Sequence, residues 1–233
     1  MIPVAIGYDF REAVTYHVLE QSIMDRTTEP VCIIPLSNRL LNGFDGQRDG
    51  TNSFIYSRFL VPSLMDYQGW AIYLDSDMLL RDDLAKLWAL RDPTKAVQVV
   101  QHDYQTKHRR KLVGTPMEAR NDDYPRKNWS SMVLWNCAHL QNRLLTPSFV
   151  SSAPGSFLHR FQWLQDSEIG AIDSTWNHLV GEQPMTAEAK LVHFTAGAPC
   201  FSHYRKCEYS TEWHGTHEDV NHALDKSKLM GVA

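Results

Sequence analysis

The sequence predicts an α/β fold, a mostly parallel sheet with helices on both faces. Three short apolar runs, at residues 2–7, 31–36 and 70–74, have the pattern of buried strands. Apolar residues at helical spacing fill the intervals between them, and strand, helix, strand, helix, strand is the order that builds parallel sheets. The 233 residues, 43% hydrophobic and 21% charged, suffice for one large core and depart from disordered or fibrous composition.

Taken in order, "IPVAIG" is the first strand, and Phe10, Val14, Val18 and Leu19 mark the helix after it. "VCIIPL" is the second strand, β-branched and closed by a proline. The segment "SNRLLNGFDGQRDGTNS", residues 37–53, is a glycine-rich loop, and helical spacing resumes through Tyr56, Phe59, Leu60 and Leu64. "WAIYL" is the third strand, and "AVQVVQH" and "SMVLWN" read as further strands on either side of a polar segment, 103–128. Residues 1–200 are expected to form one domain, with 201–233 an irregular extension holding one short helix and a mobile tail.

Composition excludes several classes of partner. A net charge of -4 disfavours nucleic acid, whose phosphates call for a basic face. The N-terminus lacks the pattern of a secretory signal, and nowhere do 18 apolar residues run together, so no membrane-spanning helix is expected; peripheral membrane contact stays compatible. Cys32, Cys137, Cys200 and Cys207 are scattered without a C-x-x-C pair, which fits reduced thiols and a cytoplasmic protein.

The chemistry concentrates in "GWAIYLDSDMLL", residues 69–80, where an apolar strand runs into two aspartates. On an extended chain alternate residues face one side, so Asp75 and Asp77 can converge while Ser76 points away. Ligands of parallel sheets gather at the carboxyl ends of strands, where this pair would lie. Two carboxylates that close repel unless a cation sits between them, and magnesium, manganese or calcium suits such oxygens. The competing reading is that they cap a turn or helix, as Asp82 and Asp83 do for "LAKLW". A second polar residue in an apolar run, His193 in "AKLVHFTAGAPC", is either a hydrogen-bonded core histidine or a third metal ligand; manganese takes mixed oxygen and nitrogen shells.

The block "SRFLVPSLMDYQGWAIYLDSDMLLRDDLAKLW" resembles retaining glycosyltransferases of the glycogenin and lipopolysaccharide galactosyltransferase kind. The similarity extends over roughly residues 2–200 and is densest over 57–90. It implies a GT-A fold, a nucleotide-sugar donor such as a uridine diphosphate (UDP) sugar, manganese or magnesium as cofactor, and hexose transfer with retention to a glycan, lipid-linked or small-molecule acceptor. By the same resemblance Asp75, Asp77 and His193 are the metal ligands, and Arg58 and Asp75 contact the donor, with Ser76 between the ligands. Gly7, Tyr8 and Asp9 fall where the family binds base and ribose, although Asp9 equally fits an N-cap of the first helix. Arg58 also fits a helix-surface salt bridge. Gly197 matches the glycine of the family's histidine-glycine segment. Asp166, with Asp77, is the candidate catalytic carboxylate, and Trp176 and Asn177 in "STWNHLVGE" are candidates for the acceptor side; Asp166 as a solvated loop residue and Trp176 as core packing are the competing readings.

Departures from the family pattern are specific. "NWSSMVLWN" carries serine where relatives have glycine, and "HFTAGAPC" lacks the lysine that relatives place after the histidine to hold the diphosphate. Arg205, Lys206 or the run "KHRRK", 107–111, are the available cations, and the run reads as a solvated loop. Two other functions stay open on sequence: a haloacid-dehalogenase-like phosphohydrolase using a D-x-D aspartate, and a nucleotide-sugar-binding module without activity.

Overall fold

The computed structural model describes residues 1–41, 44 and 54–221. Most of the glycine-rich loop expected over 37–53 and the tail expected after 221 lie outside the described residues. The strands are β1 (Ile2–Gly7), β2 (Val31–Leu36), β3 (Trp70–Leu74), β4 (Met78–Leu80), β5 (Val97–Val100), β6 (Arg110–Lys111), β7 (Ala119–Arg120), β8 (Met132–Asn136), β9 (Ile169–Ile172), β10 (His178–Leu179) and β11 (Leu191–His193). The helices are α1 (Ala13–Arg26), α2 (Val61–Leu64), α3 (Leu84–Trp88), α4 (Pro147–Ser152), α5 (Gly155–His159) and α6 (Ser210–Asn221).

Six strands form the main sheet in the order β2-β1-β3-β8-β5-β9. β1 runs parallel to β2 and β3, and β5 parallel to β9, while β8 is antiparallel to both its neighbours. β1 and β3 are apolar throughout because both faces are covered, and β5 and β8 interrupt the pattern only with the buried Gln98 and Asn136. In β3, Ala71 and Tyr73 join Phe59, Trp135 and Phe161 on one face, whereas Ile72 and Leu74 join Leu19, Leu134 and Trp176 on the other.

The chain leaves this sheet after Leu74 and enters a second one at Met78, where the strand order is β10-β11-β4. Ser22 of α1 ties the two layers together, since its buried hydroxyl accepts a hydrogen bond from Leu80 N at 3.1 Å and donates to Leu19 O at 2.7 Å. Asp83 caps α3 by accepting from Ala85 N at 2.9 Å, as its spacing suggested. β9 was not legible beforehand, nor was the β6–β7 hairpin inside the polar segment.

Within the segment after residue 200, α6 lies against α1 and buries Trp213 among Val18, Leu79, Val192 and Phe194. Arg81 fixes its start with a two-pronged ion pair to Glu212, Nε to Oε2 at 2.7 Å and Nη2 to Oε1 at 3.0 Å. No helix among the described residues is long and apolar enough to cross a membrane. All four cysteines are free thiols.

Trp213 is 1% exposed and closes the third apolar cluster. Trp213→Ala is expected to lower unfolding stability by about 3–5 kcal/mol, the usual cost of removing a fully packed aromatic. A denaturant midpoint unchanged from wild type would show that the helix carries no such load.

Candidate active site

The aspartate pair sits at the crossing from one sheet to the other, and the crossing is a turn at residues 76–77 instead of the extended strand expected from spacing. Asp75 N donates to Ser131 O at 2.9 Å, which anchors the first carboxylate to the segment before β8. β4 then pairs antiparallel with β11 so that Met78 stands opposite His193, and Phe194 N donates to Asp77 O at 2.9 Å. This register brings together residues more than a hundred positions apart in the chain. One ligand atom each from Asp75, Asp77 and His193 lies within 4.8 Å of the others, and His193 Nε2 is 3.3 Å from Asp77 Oδ1.

The histidine is held by a chain of side chains that the sequence did not reveal. Asn177 Nδ2 donates to Ser131 Oγ at 2.9 Å, which turns Asn177 Oδ1 towards His193 Nδ1, 3.1 Å away. Ser131 Oγ donates onward to Asn128 O at 2.7 Å. An amide oxygen can only accept, so this chain selects the tautomer with its proton on Nδ1 and leaves the Nε2 lone pair facing the carboxylates. That is the usual second-layer support of a metal-binding histidine. Asp77 Oδ1 is buried with no hydrogen-bond partner, an orphaned acceptor that a cation would satisfy. The residues present therefore fit a divalent ion.

Asp75 is held more tightly. Tyr73 Oη donates to its Oδ1 at 2.6 Å, and Arg58 Nη1 lies 3.0 Å from Oδ1 and 2.9 Å from Ser130 O. Burial pushes the Asp75 carboxyl up, Arg58 pulls it back, and Asp77 adds repulsion that raises it again. Arg58 is a buried partner of Asp75, which corrects the surface salt-bridge reading, and it lines the cavity, where the expected donor contact is a proposal.

Asp75, Asp77 and His193 open onto a cavity of about 650 Å³ whose wall includes Lys111, Tyr124, Ser130, His159 and Arg160. Ser130 Oγ and His159 Nδ1 are 2.8 Å apart. Burial pushes the His159 ring down to about 3, with Arg58 and Lys111 adding to the effect. Burial also lowers the Lys111 ammonium, against Asp77 and Asp75, which raise it. The prediction of a solvated loop over 107–111 is thus corrected at Lys111: the turn "VGTP" folds it back as half of a hairpin, and that turn was the one available signal.

Other expected site residues lie elsewhere. Asp166 is exposed, pairs with Arg126 at 2.5 Å and does not line the cavity, which removes the ground for a catalytic role. Trp176 is core packing and Asn177 supports His193, so the expected acceptor-side pair is corrected as well. Asp9 is buried and engaged by Arg11, accepting from its backbone N at 3.0 Å and its Nε at 2.9 Å, which is the capping reading. Tyr8 stands edge-on to Tyr16, and Gly7 gives its face to Phe54, whose ring a Cβ there would meet at 2.5 Å. Ser76 is buried with its hydroxyl unpartnered. Gly197 follows the ligand histidine and makes room for the Tyr204 ring. None of these residues lines the cavity.

Comparison with known proteins agrees with this geometry. Residues 9–143, more than half of the chain, match the family model of glycosyl transferase family 8. Protein CDI of Arabidopsis thaliana is 43% identical over 227 residues, covering 93% of this chain and 86% of that protein. The chain belongs to glycosyl transferase family 8. Among solved structures, the bifunctional glycosyltransferase WbbM superposes with a TM-score of 0.66 at 13% identity, over 94% of this chain and 51% of WbbM. The galactosyltransferase LgtC, solved with donor and acceptor sugar analogs, superposes with a TM-score of 0.58 at 13% identity, over 94% and 96% of the two chains. The family 8 chain has the GT-A fold of these enzymes and is a glycosyltransferase. The phosphohydrolase alternative is not favoured, since residues 9–143, Asp75 and Asp77 among them, match the family 8 model.

His159 and His102 are both pushed down to about 3 by burial. Unfolding releases each ring to its ordinary value near 6.5, so the unfolded chain binds more protons between about pH 3 and 6.5. Stability is then expected to fall with falling pH across that window, at about 1.4 kcal/mol per pH unit per histidine. His159→Gln should make the slope of stability against pH shallower by one proton. An unchanged slope would contradict burial of a neutral ring.

Proposed function

We propose that this family 8 enzyme moves a hexose from a UDP-sugar to an acceptor hydroxyl with retention, using a divalent cation held by Asp75, Asp77 and His193. The observation that carries this reading is the convergence of those three side chains on the wall of one polar cavity. The mixed oxygen and nitrogen donors favour manganese. LgtC, solved with donor and acceptor sugar analogs, shares the fold and supports a sugar-transferring use of the same architecture. Retention and the UDP group rest on the motif resemblance around "YLDSDMLL".

When bound, the ion would neutralise charge on the leaving diphosphate. Asp77 supplies the orphaned oxygen and His193 its Nε2 lone pair, while Asn177 keeps that ring from turning. Arg58 and Tyr73 hold Asp75 against the repulsion of its neighbour. In the transfer, the bond from the anomeric carbon to the β-phosphate oxygen breaks with its electron pair on that oxygen. The acceptor oxygen becomes bonded to that carbon with net retention, and its proton is taken up in exchange by the departing phosphate.

A panel of nucleotide sugars with manganese, read by released nucleoside diphosphate, tests the reading. UDP release is expected from a UDP-hexose, with loss on chelation and recovery on adding manganese back. Asp77→Ala should cut turnover by at least about a hundredfold with the melting temperature retained. Full turnover in excess chelator would overturn the metal reading, and donor binding without turnover across many acceptors would favour an inactive module. Nuclear magnetic resonance of the product decides retention by its anomeric coupling.

A further inference from the structure

The β6–β7 hairpin closes one side of the cavity and is fixed from three directions. Leu112 N donates to Ala196 O at 2.7 Å, three residues beyond the ligand His193, and Val113 N donates to Tyr204 Oη at 3.0 Å. Tyr204 reaches that position because Gly197 has no side chain: a Cβ there would lie 2.2 Å from the ring, and its φ of +156° is one that L residues rarely adopt. On the opposite side, Asn121 Nδ2 donates to Thr106 Oγ1 and His108 O, both at 2.9 Å, and the buried Glu182 accepts from Lys107 N at 2.8 Å.

This frame holds Lys111 in the cavity wall with Asp75 and Asp77. Three of the other cations nearby are committed, Arg58 to Asp75, Arg110 to Glu118 and Arg120 to Asp122, while Arg160 shares the wall with its buried Nε unpartnered. Among the described residues, no hydrogen bond or ion pair reaches the Lys111 ammonium. A half-buried cation without a bonded anion is costly unless a ligand supplies one. Asp75 is already shared by Arg58 and Tyr73, and among the described residues no ion pair joins the ammonium to Asp77, whose Oδ1 lies beside His193. An anion lodged between the ammonium on one wall and a carboxylate-bound cation on the other satisfies both sides.

We propose that Lys111 binds the β-phosphate of the donor's diphosphate and holds the charge that gathers there as the sugar departs, with Tyr204 and Gly197 as positioning residues for its hairpin. The proposal rests on the UDP-sugar reading above. It also gives the cavity a diphosphate cation from a hairpin, in a chain whose "HFTAGAPC" segment carries no lysine.

Calorimetric titration of the manganese-loaded full chain with UDP and with uridine monophosphate separates the possibilities. Lys111→Met is expected to weaken UDP binding by about tenfold or more, the scale of one charge-assisted hydrogen bond, and to change monophosphate binding by less than twofold. Its melting temperature and manganese affinity should match wild type, and Lys111→Arg should restore most of the loss. Tyr204→Phe, which removes the acceptor for Val113 N, should reproduce part of the same selective loss. If Lys111→Met weakens both nucleotides equally or neither, the inference is overturned while the donor reading stands on wild-type UDP binding. If it alters manganese affinity and leaves the nucleotide ratio intact, Lys111 serves the carboxylates instead and the inference also fails. Wild type binding neither nucleotide would overturn the donor reading and this inference together.

Discussion

Repulsion between the Asp75 and Asp77 carboxylates, set side by side with little water around them, is the constraint from which the rest of the site follows. Burial and the neighbouring charge of Asp77 both raise the proton affinity of Asp75, against Arg58. The fold meets this with unequal partners. Asp75 receives the Tyr73 hydroxyl from β3 and Arg58 from the turn Ser57–Leu60, whose Phe59 and Leu60 pack in the same apolar cluster as Tyr73. Asp77 receives only the edge of His193 and keeps an unpartnered oxygen. One carboxylate is thereby a fixed structural anion and the other an open coordination position, a division that suits an ion which must also be shared with a substrate.

The geometry depends on a change of sheet. β3 ends in the six-stranded layer, and four residues later β4 is paired in another with β11. The antiparallel register of that pair sets the histidine beside the second aspartate, and a slip of one residue would turn His193 to the opposite face. α1, through Ser22, and α6, through Trp213, brace this small sheet from behind. The segment after residue 200 thus contributes to the rigidity of a site to which it lends no ligand.

What could be read from the chain beforehand followed from how strongly each element writes its environment. β1 and β3 were legible to the residue because strands covered on both faces are unbroken apolar runs bounded by turns, and β2, a partly buried edge strand, through its β-branched residues and proline. His193 stood out as a polar residue inside such a run. β9 escaped because "IGAI" is short and contains a glycine, and β6 and β7 escaped because two-residue strands of charged side chains carry no periodicity. Asp75 and Asp77 were placed correctly as a converging pair for an incorrect reason, since a turn and not strand alternation brings them together. The support of His193 by Asn177 and Ser131, and the entry of Lys111 into the cavity, depend on contacts over 16 to 91 residues, which local patterns do not encode.

The account stands on a nitrogen and two carboxylates sharing one ion. Electron spin-echo spectroscopy of the chain loaded with one equivalent of manganese reads this directly. It is expected to show nitrogen modulation from a single imidazole in wild type, absent in His193→Gln. A bound manganese signal without nitrogen coupling, or one unaltered by that substitution, would contradict it.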